Sequence, residues 1–356
     1  MPLESPNHPL WLKLNARFET RGGWQIPLEF SGNNPEYKAA RQSAVLIDES
    51  HKGKLLLTGR DTMDLLQRIL SQDVACLKTG NGTHAALLTA QGKILIDMDI
   101  AVLPEGVVLI TECGLEETLA GLLDRYIIAD DVMVKNVTKD YSCLLIYGPA
   151  AGRITERIFL DAELKNNLIS FSAPEISSGF FFLLPAAESL RVTEKILAST
   201  DNGLIPAGSA VSEILRIEDG RLRYGTDMTA DTILSETGKD AIWASETKGC
   251  YPGQEVVARI KTYSGLQRRL CGFVLSKGPI PVNGSKIYSD EKEIGWITSA
   301  CVSPALDRGI ALGYLTKGYF DQDCGVEIET AEGKIPAQKI KLPFTSLFPA
   351  ALPGSS

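Results

Sequence analysis

Between about residues 51 and 217 the hydrophobic and polar positions lay out one run of elements twice. Lys54 to Leu57 has the apolar pattern of a strand, followed by Gly59 and a helical stretch from Asp61 to Leu70. Ser142 to Tyr147 repeats the strand, followed by Gly148, Pro149 and a helical stretch through Phe159. The second half of each run also matches. Val107 to Thr111 leads into the helical LEETLAGLLDRY, and Phe180 to Leu184 leads into AAESLRVTEKIL. His84 to Leu88, Ile94 to Val102 and Leu168 to Ser172 read as hairpin strands between these pieces. Each run then approximates β-α-β-β-α-β, the ferredoxin-like order. The pattern closes the first run with Val132 to Val134 and the second with Glu213 to Ile217.

From Gln267 onward the texture changes. CGFVL, IGWIT, GIALGYL and VEIET are short β-rich runs separated by Gly, Pro, Asn and Asp, with a strong turn signal at Asn283-Gly284. These predict a C-terminal β-barrel or sandwich without a helix, and the final ALPGSS reads as a loose tail. The resulting division is an N-terminal segment 1–50, a first lobe 51–140, a second lobe 141–262 and a barrel 263–350. The class is α+β.

Composition narrows the function classes. The 356 residues are 44% hydrophobic and 22% charged, which is ordinary for a globular chain. Asp and Glu total 44 against 36 for Lys and Arg, a formal charge of −8 that argues against nucleic-acid binding. Neither a signal pattern nor an apolar run of membrane-spanning length stands out, so the expectation is a cytoplasmic protein with no membrane partner, and a monomer. The seven cysteines are scattered and form no CxxC pair, which argues against a disulfide framework or a zinc site.

Two stretches carry candidate chemistry. In Ile94 to Ile100, strand alternation puts Ile94, Ile96, Met98 and Ile100 on one face and Asp97 and Asp99 on the other. Paired carboxylates there could bind an amine or move protons, although the pattern by itself favours a solvated strand face. In Lys248-Gly249-Cys250-Tyr251-Pro252-Gly253-Gln254-Glu255, two glycines and a proline make a tight loop that tends to leave a cysteine accessible. Lys248 would favour the thiolate, while the plain alternative is a small residue packed at a domain junction. Gly80 to Ala85 fits a dinucleotide GxGxxA but precedes a strand, which rules that reading out. His51 and His84 read by default as structural histidines.

KGCYPGQE, with Arg259 after it, resembles the K-G-C-Y-x-G-Q-E signature of YgfZ-type folate-binding proteins, relatives of the glycine cleavage T-protein. Gly23 to Pro27, Leu46 to His51, Gln91 to Asp97, Tyr126 to Asp131, Leu215 to Gly220 and Ile294 to Ser299 resemble T-protein segments. The resemblance implies two ferredoxin-like lobes and a β-barrel in a three-lobed cloverleaf with a central cavity for tetrahydrofolate or a one-carbon derivative. It implies a role in iron–sulfur cluster assembly or repair, in some members linked to tRNA modification, with iron–sulfur client or assembly proteins as partners. The alternative is a tetrahydrofolate-dependent aminomethyl- or one-carbon transferase.

By resemblance Cys250, Lys248 and Asp97 are the chemical residues. His51, His84, Asp97, Asp99, Tyr251, Gln254 and Arg259 are candidates for the folate site, and Gly249, Gly253 and Glu255 shape the loop. Three features depart from T-proteins. Ile169 to Leu184 lacks their Y-T-G-E, Ser212 stands where they have an arginine, and Lys93 replaces a turn glycine.

Overall fold

The computed structural model describes residues 2–172, 175–176, 178–199, 203–263, 265–322 and 324–348; the tail ALPGSS lies outside them. The chain opens with β1 (Leu3–Glu4), α1 (His8–Lys13), β2 (Arg17–Arg21), β3 (Trp24–Glu29), α2 (Asn33–Gln42) and β4 (Ala44–Asp48). Strands β1, β3 and β2 form a small sheet in that order.

The first repeat holds β5 (Gly53–Thr58), α3 (Thr62–Ile69), β6 (Gly82–Leu88), β7 (Ile94–Leu103), β8 (Gly106–Thr111), α4 (Glu116–Asp124) and β9 (Met133–Asn136). Its sheet runs β6-β7-β8-β5-β9. Leu65, Leu66 and Ile69 of α3 and Leu119, Leu122 and Leu123 of α4 lie at helical spacing. They pack on Leu55, Leu57, Ile96, Met98, Ile100 and Leu109, so one face of the sheet is covered by helices. Each such side chain taken out of water contributes about 1.5–3 kcal/mol. That apolar demand fixes which way β7 faces and leaves its odd-numbered residues on the opposite side.

The second repeat holds β10 (Tyr141–Tyr147), α5 (Ala151–Leu160), α6 (Ala162–Asn167), β11 (Ile169–Phe171), β12 (Gly179–Pro185), α7 (Ala186–Ser199) and β13 (Leu204–Ala207). Its sheet runs β11-β12-β10-β4-β13. Both sheets therefore keep the ferredoxin-like strand order, with one addition each. In the first, β6 extends the edge; in the second, β4 is inserted between the first and last strands.

Two expectations are corrected. The N-terminal segment does not merely pack on the lobes, because Ala44–Asp48 pairs antiparallel with β10 and parallel with β13. Its five residues are all buried, as a central strand requires. Glu213 to Ile217 is not the closing strand. It lies in the helix α8 (Ser209–Glu218), and Leu204–Ala207 closes the sheet instead. Val211 and Leu215 are buried one helical turn apart, and Gly220 follows the helix at φ 65°, a glycine stop that the strand reading overlooked.

The short helices α9 (Asp240–Trp243) and α10 (Gln254–Tyr263) follow. The barrel strands are β14 (Arg268–Leu275), β15 (Lys286–Ser289), β16 (Lys292–Ser303), β17 (Arg308–Thr316), β18 (Val326–Thr330) and β19 (Gly333–Ile340). They close in the order β14-β17-β16-β15-β18-β19 around Phe273, Leu275, Ile287, Ile294, Ile297, Leu315 and Ile328.

The chain divides into two compact units. Residues 1–212 and 239–258 form one, and residues 213–238 and 259–356 the other. Inside the second, the buried Asp227 carboxylate accepts from Arg216 Nη1 at 2.6 Å, Thr298 Oγ1 at 2.6 Å and Ser299 Oγ at 2.7 Å. This network fastens Arg216 to barrel strand β16. Among the described residues no helix is long and apolar enough to cross a membrane.

Candidate functional site

The face of the first sheet opposite its helices carries Asp97 and Asp99 on β7, and on β6 the paired His84. His84 pairs in register with Asp99, and its imidazole reaches both carboxylates. Nδ1 lies 2.8 Å from Asp99 Oδ1, and Nε2 lies 3.3 Å from Asp97 Oδ2 without hydrogen-bond alignment. His84 and Asp97 are buried, at 6% and 8% exposure, so the solvated-face expectation gives way. Asp97 Oδ1 is buried with no hydrogen-bond partner among the described residues.

The cover comes from a distant segment. Ser71 Oγ donates to the Trp243 carbonyl, Ser245 N–H donates to the Ser71 carbonyl, and Gln72 Nε2 donates to the Ile242 carbonyl. These bonds bring the Trp243 ring to 4.5 Å from the His84 ring.

Burial works against the charge of His84, but its interactions with Asp97 and Asp99 and the field of Glu175 outweigh it and lift the imidazole to about 10. Burial pushes the Asp97 carboxyl above the ordinary carboxylate range; Glu112 and Glu175 add to that, and His84 opposes it.

A second cluster follows the end of β4. His51 is buried, its Nδ1 has no hydrogen-bond partner among the described residues, and burial lowers its pKa. It lines a small cavity with Arg21, Asp48, Glu49, Ser209 and Ser212. The next residue, Lys52, is 3.6 Å from Glu112 Oε1. Burial opposes its charge, yet Glu112, Glu49 and Asp99 hold it well above the usual lysine range. The fully buried Lys54 ammonium donates to the carbonyls of Ser50 and Lys52, the two neighbours of His51. Burial draws its pKa down to about 8.

The KGCYPGQE loop sits on the same unit. Cys250 and Gly249 are exposed, Tyr251 is buried, Gln254 is half-buried and Glu255 is exposed. Gly253, at φ 83°, approaches the β6–β7 turn so closely that a Cβ would stand 2.6 Å from the Thr89 carbonyl oxygen. Lys248 Nζ donates to the carbonyls of Leu70 and Gln72 and lies 5.4 Å from the Tyr251 ring centroid. Burial lowers Lys248 to about 8. Its ammonium therefore locks the loop onto the end of α3. Arg259, exposed on α10, belongs to the other unit.

A model of the GCVT N-terminal domain matches residues 7–176, and a model of the glycine cleavage T-protein C-terminal barrel domain matches residues 268–345. The chain belongs to a T-protein-like family. This T-protein-like chain is 28% identical over 360 residues to an aminomethyltransferase of Listeria innocua, covering 96% of this chain and 98% of that one. An aminomethyltransferase of Bacillus cytotoxicus is 27% identical over 358 residues, at 96% and 97% coverage. The crystal structure of the glycine cleavage system aminomethyltransferase T from Bartonella henselae superposes with a TM-score of 0.84 over 97% of this chain and 98% of that one. At 23% identity this likeness is one of fold.

Of the residues expected from sequence, the T-protein-like fold brings His84, Asp97 and Asp99 into one cluster. His51 lies in the second cluster. Lys52 couples the two, because its ammonium feels Glu49 beside His51 as well as Asp99 beside His84. The sequence reading missed Trp243, Glu175, Lys52, Glu112 and Lys54. Glu175 lies within the stretch that lacks Y-T-G-E, and its charge nevertheless reaches His84 and Asp97. It is the sole acidic residue between Glu163 and Glu188, a signal that could have found it.

Proposed function

We propose that this T-protein-like chain binds tetrahydrofolate and acts as a one-carbon transferase of the aminomethyltransferase kind. The observation that carries the reading is the Asp97 carboxylate, buried beside His84 and Trp243 with Oδ1 left without a partner among the described residues. A buried acceptor without a donor costs about 1–3 kcal/mol, so the site is suited to a ligand N–H. That requirement fits a reduced pterin, which carries such groups. Tetrahydrofolate supplies the amine nitrogens that take up a one-carbon unit. Asp97 would accept from that amine and fix its orientation. Trp243 and His84 wall the site on one side and exclude water there. Relatives described as aminomethyltransferases support transfer ahead of the iron–sulfur role expected from the cysteine motif.

Calorimetric titration with tetrahydrofolate and its 5-formyl form tests binding. Asp97→Asn should weaken affinity about 10- to 100-fold, the loss of a charge-assisted hydrogen bond. Equal affinity in wild type and variant would refute the role of Asp97. Ammonia release from an aminomethylated lipoyl protein tests transfer, and its absence would remove the transferase reading.

One observation favours a second reading. Cys250 is exposed on its loop, as an accessory thiol for iron–sulfur clients would need. Cys250→Ala should then fail to restore iron–sulfur enzyme activity in a deletion strain, and full rescue would end that reading.

A further inference from the structure

Asp97 cannot be understood without the imidazole beside it. The carboxyl is buried, and Glu112 and Glu175 place further negative charge in its field. Such surroundings favour the protonated acid, which offers an N–H ligand a poorer acceptor. The opposing influence is His84. Its Nδ1 is bonded to Asp99 at 2.8 Å, which fixes that nitrogen as a donor and leaves Nε2 facing Asp97, 3.3 Å away. The Trp243 ring at 4.5 Å closes one side of the imidazole.

We propose that His84 is a positioning residue that keeps Asp97 ionised, and that Asp99 holds His84 in its doubly protonated form for that purpose. The role of this arrangement in ligand binding rests on the folate reading; the arrangement itself does not. Both imidazole nitrogens carry protons, the charge of His84 offsets one carboxylate, and Asp97 Oδ1 stays an acceptor. The site then takes a neutral or cationic amine through its N–H and disfavours a ligand that presents an acceptor at that position. Among the described residues, charged groups that act on the triad include Glu175, Glu112 and Lys52, the last acting on Asp99. Lys239 Nζ sits 2.7 Å from Glu175 Oε1 and tempers its charge.

The test is titration of the ligand-free full chain by NMR, with labelled histidine imidazole nitrogens and aspartate carboxyl carbons. Asp97→Asn assigns the Asp97 signal. In wild type, His84 should stay doubly protonated through neutral pH and lose its proton only near pH 10. In Asp99→Asn the His84 midpoint should fall toward the ordinary value of about 6.5. In His84→Gln the Asp97 midpoint should move to higher pH. A wild-type His84 that titrates near its ordinary value, or an Asp97 midpoint unchanged in His84→Gln, overturns the proposal. If His84→Gln does not fold, Asp99→Asn decides alone: a His84 midpoint that stays near pH 10 there overturns the proposal. Since no folate is present, failure here is distinct from failure of the folate reading. Tetrahydrofolate calorimetry that shows no binding, with these titrations as expected, would refute only the latter.

Discussion

Lys54 offers a quantitative test of how the loop carrying His51 is held. Its ammonium is fully buried and bonded to two backbone carbonyls, with no carboxylate among its hydrogen-bond partners in the described residues. The drop from 10.5 to about 8 corresponds to about 3 kcal/mol of unfavourable charge burial in the folded state. The folded pKa lies below the unfolded one, so between these values the unfolded chain binds more protons. Stability from this group therefore rises with pH from about 8 to about 10.5 and is flat below about 8.

Lys54→Met keeps the volume and removes the titration, while leaving the Ser50 and Lys52 carbonyls without that donor. Urea unfolding of both proteins at pH 7, 8, 9 and 10 measures the difference. The stability of wild type relative to Lys54→Met should grow by about 2–3 kcal/mol across this range. A difference that stays constant with pH would refute the charge-burial account. The imidazole titration of His51 in the variant should also change, because the carbonyls on both sides of it lose their anchor.

Two glycines of one motif should behave differently. Gly253→Ala meets the Thr89 carbonyl at 2.6 Å and a φ of 83°, and should cost more than about 2 kcal/mol and speed thiol labelling of Cys250. Gly249→Ala has open space and a φ of 97°, so it should cost only about 1 kcal/mol in thermal unfolding. In the barrel unit, Asp227→Ala leaves the buried Arg216 with Glu213 as its remaining carboxylate, beside Ser299 Oγ and the Arg221 carbonyl, and should destabilise by about 3–5 kcal/mol in denaturant melts. A loss under about 1 kcal/mol would mean the network contributes little.

The α+β class, the two ferredoxin-like runs and the β-rich end were legible because each rests on local periodicity. Helical spacing in 61–70 and 115–126 and strand alternation in 94–102 reflect one-sided burial, which is written into neighbouring residues. The paired Asp97 and Asp99 were legible for the same reason. Glu213 to Ile217 misled because a five-residue stretch with three apolar side chains fits a strand or a buried helix equally well, and the choice lay in Val211 and Gly220 beyond its ends.

What the sequence determined by itself is which residues share a face. What covers that face was decided by pairing across long separations. Trp243 reaches His84 only because bonds between Ser71 and the segment 243–245 carry it there. Ala44–Asp48 enters the second sheet only because β10 and β13 leave a place between them. The charge on His84 likewise depends on burial and on carboxylates from β7 and the 175 region, and periodicity carries no record of such distant neighbours.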